Sequence, residues 1–218
     1  PVTVTLTASK GSAYVSALTT IVEQAGSDAA TVLTNLGLPS TFDLLTSNPL
    51  ETIEAQQINA ALINIIAVGE SLLEGAGLTD GEGDELIVAQ IVESLKTSTD
   101  ISSTSAIKSI IDASTTSLSE TGSTRVQELS SSTSESISNI NKQISESTSI
   151  SQIAVYQKSV LDDTDSLLTE VAVAAASTTA VIEVITESSA EASAKEAALD
   201  IGLNVSPFIT LDSLINVK

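Results

Sequence analysis

The chain has 218 residues, 28 acidic side chains against 8 basic ones, a formal net charge of −20, and no Cys, His, Met or Trp. Without imidazole or thiol, the familiar nucleophilic triads, dyads and Cys/His zinc sites are closed, and the lone arginine, Arg125, leaves no footprint for binding nucleic acid or anionic membranes. Hydrophobic content of 42% is enough for a buried core, but an aromatic share of 2% means that core must be built from Ile, Val, Leu and Ala.

The first segment, PVTVTLTAS, alternates Val2, Val4 and Leu6 with Thr3, Thr5 and Thr7. Period-two alternation with β-branched residues predicts a half-buried strand over 1–9. Helical spacing follows. Leu18, Ile21 and Val22 share one face of a helix that stops at Gly26, and a second helix opens at Ser27 and stops at Gly37. Pro39 and Pro49 confine the next connection to loop and short turns. A longer helix from about Leu50 to Leu73 carries Ile53, Ile58, Leu62, Ile65, Ile66 and Leu72, and the glycines of EGAGLTDGEGDE break it.

From Glu85 the pattern changes, with glycine only at Gly122 and Gly202 and no proline before Pro207. Leu86 to Thr121 reads as one helical stretch, softer at TSTDISSTS, and Gly122 separates it from a glycine-free run over 123–201. That run has a seam of Val126, Leu129, Thr133, Ile137, Ile140 and Ile144, then Ile150, Ile153, Gln157 and Val160, continuing to Ile185. The spacing slips between Ile144 and Ile150, which marks a kink or turn. With a reversal at LDDTDSLL the chain from Glu85 divides into three arms, each about 50–55 Å long. Serine is a mediocre helix former, so packing along the seam must supply stability while the serines face water. The last segment has Leu203 and Val205 before Pro207, then Phe208, Ile209 and Leu211, and predicts a second strand or extension over 203–218.

The expected fold is therefore mainly α: an elongated antiparallel helical bundle with short β-strands at the two termini. Its expected parts are a strand at 1–9, a small helical subdomain at 13–75, a Ser-rich bundle at 84–201 and the C-terminal segment 203–218. No apolar run reaches the roughly 18–20 residues that cross a bilayer, and no signal peptide opens the chain. A start at Pro1 without any Met is expected of a processed product. Acidity, lack of Cys and heavy Ser/Thr use suit an exported bacterial surface protein.

Chemistry-bearing candidates are few. Asp80, Glu82 and Asp84 place oxygen ligands at alternating positions of a glycine-rich loop, a pattern suited to Ca²⁺, although position six of an EF-hand loop starting at Asp80 is Glu85 and position twelve is Ile91. The same acids also suit the N-terminus of the following helix. Paired carboxylates alone do not make a glycosidase here, because only Tyr14, Tyr156, Phe42 and Phe208 are available as sugar platforms. No enzyme and no cofactor is expected.

The run Val15 to Glu51 resembles a helical segment of very large secreted and cell-surface, adhesin-like proteins of aquatic bacteria, in which an LTTLV-like helix precedes an LGLP…D…T…DPL-like turn. The matching residues are Leu18 to Val22, Leu36 to Pro39, Asp43, Thr46 and Asn48 to Leu50, with Asn48 in place of the usual acid. The resemblance implies surface display and modular assembly. The expected function is a non-enzymatic extracellular structural protein, a subunit of a filament, surface layer or matrix. Its copies would join through Val2, Val4, Leu6, Leu203, Val205, Phe208, Ile209 and Leu211 on the apolar terminal strands. The alternatives are a spacer or stalk module joined to adjacent domains of a giant adhesin, and a calcium-binding surface module.

Overall fold

A computed structural model of the chain describes residues 4–39, 42–43, 48, 52–79, 81–97 and 100–160. The reversal expected at Asp162–Asp165, the helical run beyond 160 and the segment 203–218 lie outside the described residues. Within them the chain is mainly α. The helices are α1 (Ala17–Ala25), α2 (Ala29–Asn35), α3 (Ile53–Gly75), α4 (Glu82–Thr97), α5 (Thr104–Ala113), α6 (Glu120–Ser145) and α7 over 150–160. No β-strand occurs among the described residues, and 4–9 run without a strand partner.

Local chemistry sets the helix ends. Ser16 caps α1 by accepting from the Thr19 amide at 3.1 Å, while Thr19 Oγ1 accepts from the Ser16 amide at 2.8 Å, so two orphan donors are satisfied reciprocally. α2 and α3 end alike. Gly37 (φ 81°) and Gly77 (φ 115°) take the left-handed conformation, and the next amides, Leu38 and Leu78, bond back to Leu33 O and Leu73 O at 2.9 and 3.1 Å.

The organising element is α3. Every residue from Asn59 to Leu73 is buried, so the helix has no solvent face along its middle four turns. By length and composition it is apolar enough to cross a bilayer, unlike the sequence expectation, but 83% of its most apolar stretch is enclosed by other helices of the same chain. α1, α4 and α6 pack against it, α2 lies on α1 and α4, and α5 lies on α6 and α4. Small residues allow close approach. A Cβ on Gly69 of α3 would stand 2.5 Å from Ile87 Cδ1 of α4, and one on Gly83 of α4 would stand 3.2 Å from Glu70 Cα.

Several expectations change. Gly122 does not separate two arms; it sits in the first turn of α6, where a Cβ would come within 2.6 Å of Ala76 O just past α3. The stretch from Leu86 to Thr121 is not one helix, because Ser103 caps a new helix, α5, by accepting from the Ala106 amide at 3.4 Å. One cluster of buried apolar side chains runs from Val4 to Val160, across the turn between 75 and 84. The spacing slip after Ile144 is real: α6 ends at Ser145 and α7 begins at 150.

The seam of α6 lies as the spacing predicts, with Val126, Ile137, Ile140 and Ile144 fully buried. Its serines do not all face water. Ser130, Thr133 and Ser134 are also at 0% exposure, small enough to let α5 lie close. Two substitutions on this helix should move stability in opposite directions in urea denaturation. Ile137→Ala should cost about 2–5 kcal/mol through the cavity it leaves, whereas Thr133→Val should gain about 1 kcal/mol, since Thr133 Oγ1 is buried without a hydrogen-bond partner.

Candidate functional site

Buried and half-buried polar side chains reach across from one helix to another. On α3, Asn59 Oδ1 accepts from the Leu18 amide in the first turn of α1 at 3.2 Å. Five residues further on, Asn64 Nδ2 donates to Asn141 Oδ1 of α6 at 2.9 Å, and Asn141 Nδ2 donates to Ala61 O at 3.4 Å. Gln57 Nε2 lies 2.9 Å from both Ser145 O and Ser147 O, where it covers carbonyls freed at the end of α6. Asn35 Nδ2 donates to Leu95 O at 2.6 Å and so ties α2 to the last turn of α4. Ser138 Oγ donates to Ser102 O at 2.8 Å, which holds the turn between α4 and α5 against α6. Lys108 of α5 pairs with Asp112 and donates to Ser130 Oγ of α6 at 3.0 Å.

The most built of these places is the cleft between α1 and α4 that holds the N-terminal segment. Val4 and Leu6 are each 3% exposed and belong to the main core. Between them the Thr5 amide donates to Asp84 Oδ2 of α4 at 2.6 Å. The Thr7 amide donates to Thr20 Oγ1 of α1 at 2.8 Å, and the Thr19 and Thr20 hydroxyls lie 3.1 and 3.0 Å from Thr7 O. Side chains therefore do what a neighbouring strand would do for this extended segment. The expected alternation is present, but its apolar face is buried in the chain's own helical core. Val4 and Leu6, two of the expected assembly residues, are thus filled into the core of the chain itself. Val2, Leu203, Val205, Phe208, Ile209 and Leu211, the other expected assembly residues, lie outside the described residues.

The calcium candidates diverge. Asp84 is 1% exposed and turned onto Thr5, while Glu82 is exposed and reaches back to the Thr79 amide at 3.3 Å, which lowers its pKa. Asp80 lies outside the described residues. No group of three or more Asp or Glu placed to hold a metal ion occurs among the described residues. The acids at Glu82, Asp84 and Glu85 open α4, where the helix dipole favours them. Asn141, Thr19 and Thr20 carry no sequence signal of their role, and Asn59 and Asn64 carry only a faint one. An asparagine inside an apolar helical run, as in NAALINII, is the one hint that a polar group is being buried for a partner.

Burial raises the Asp84 pKa above its ordinary 3.8, and the bond from Thr5 only partly opposes this. A carboxyl raised in the folded state favours folding when protonated and loses that contribution as pH rises through its folded pKa. Asp84→Asn keeps an acceptor for Thr5 and removes the charge. It should therefore be more stable than the parent chain at neutral pH and converge with it below 3.8, as followed by thermal melts across pH.

No family model, no curated protein and no solved structure matches this chain.

Proposed function

We propose that the chain is a non-enzymatic structural module of an extracellular or cell-surface protein, a helical unit that supplies bulk and spacing and is bonded to adjacent domains or to copies of itself. The observation that carries this reading is the use made of interior polar groups: Asn59, Asn64, Asn141 and Asp84 each bind a backbone group or an amide on another segment of the chain. The buried chemistry goes into cohesion. The net charge of −20 and the exposed serines and acids of α6 suit a solvated exterior. The likeness of Val15 to Glu51 to segments of giant surface proteins agrees with display outside the cell.

A second reading, a subunit of a filament, surface layer or matrix, draws on Tyr14 and Val15, large apolar side chains left 38% and 43% exposed. A calcium-binding module gains nothing from the positions of Glu82 and Asp84. Location is testable directly. Antibodies raised against the folded chain should label intact, non-permeabilised source cells or the material they secrete; labelling that appears only after permeabilisation would contradict the reading.

A further inference from the structure

The N-terminal segment is held in the cleft between α1 and α4 by a small and well-defined set of contacts. Two apolar side chains, Val4 and Leu6, enter the core, and the backbone of Thr5 and Thr7 bonds to Asp84, Thr19 and Thr20. This is the manner in which an extended peptide is bound: main-chain hydrogen bonds hold it, and alternate side chains fill pockets. We infer that the cleft between α1 and α4 is a receptor for an extended segment whose second occupant is residues 4–7 of another copy of this chain, exchanged reciprocally.

Three features of the link bear on the exchange: two permit or reward it, and one, Gly11, sets the balance between the closed and the exchanged form. Residues 8–15 are exposed or half-exposed, and among the described residues their one backbone hydrogen bond, from the Ser12 amide to Ser9 O at 3.0 Å, is local to the link. Nothing in the body of the fold has to be broken to straighten it. Extended, eight residues span about 26–29 Å, enough to carry the segment to an adjoining copy.

The closed form also places a backbone demand on the link. Gly11 stands at φ 98°, and a Cβ built there would meet nothing within 4 Å. A side chain at that position would strain the closed turn through the backbone alone, without a clash. An extended link makes no such demand, so glycine favours the closed arrangement over the exchanged one.

The third feature is where the apolar surface lies. Tyr14 and Val15, the large apolar residues exposed among the described residues, are both on the link. In a reciprocal exchange the two links run between the same two bodies and pass beside one another. These side chains are then brought together and covered. The exchange reproduces every contact of residues 4–7 with the cleft and adds this new one, which is how identical segments swap at low cost.

The inference goes beyond the location and structural role proposed above, and its test is read in solution, independently of cell labelling. Sedimentation at ionic strength near 0.15 M, where the repulsion of a net −20 charge is screened beyond about 8 Å, compares the parent chain with Gly11→Val after refolding at high concentration. Strain of about tenfold in each chain should raise the dimerisation constant of Gly11→Val about a hundredfold. The chain has no cysteine, so a Thr7→Cys/Thr20→Cys pair reports which copy fills each cleft. In the Gly11→Val dimer the disulfide should join two chains, giving a covalent dimer on a non-reducing gel, and in the monomer it should close within one chain. A Gly11→Val chain no more dimeric than its parent, or a dimer that lacks the bond between copies, overturns the inference.

Discussion

The structure depends on covering α3. A helix buried on every side from Asn59 to Leu73 cannot be satisfied by one neighbour, and α1, α4 and α6 surround it. With only 2% aromatic residues in the chain, thickness cannot come from large rings. The helices must instead come close, and glycine is placed where they do: Gly69 against Ile87, Gly83 against Glu70, and Gly122 against the Ala76 carbonyl. An added Cβ at Gly122 would meet backbone oxygen, which has no rotamer through which to move aside. Close approach and full burial of α3 are the same constraint seen from two sides.

A helix without a wet face must dispose of its polar side chains internally. α3 does so by lending them to its neighbours. Asn59 serves the start of α1 and Asn64 pairs with Asn141, while Gln57, half-buried before the enclosed stretch, covers the end of α6. Buried amide pairs of this kind add little net stability, but a shifted register leaves them unsatisfied, so they select one alignment of α3 on α6. That selection matters here because Ile, Val, Leu and Ala seams pack acceptably in more than one register. α6, rich in serine and a poor helix alone, is ordered by the same contacts.

Much of this architecture was legible in the sequence where one residue type has one physical use. Gly26 and Gly37 stop helices because few other residues adopt positive φ, and the three-four spacing of Val126, Ile137, Ile140 and Ile144 has one apolar face to bury. Other features were not legible, for stated reasons. The spacing of Ile53, Ile58, Leu62 and Ile65 marks a helix but not its burial on every side, because small residues such as Ala60, Ala61 and Gly69 pack on the remaining sides of α3 and give no periodic signal. Alternation in Val4–Thr7 reports which side chains are buried but not what buries them, and among the described residues that is a helical cleft and not a neighbouring strand. Asp84 looked like one of three calcium ligands because spacing does not reveal that α4 turns it inward onto Thr5. Gly122 read as a break because a glycine needed for contact and one needed for a turn are identical in sequence.

Native-state hydrogen exchange across α3 tests the central claim most directly. If α3 is the covered element on which the others rest, the amides of Ala60 to Leu72 exchange only when the whole fold opens, with a free energy equal to that of global unfolding in denaturant. Exchange of those amides through local opening, faster than the amides of Val126 to Ile144 in α6, would contradict it.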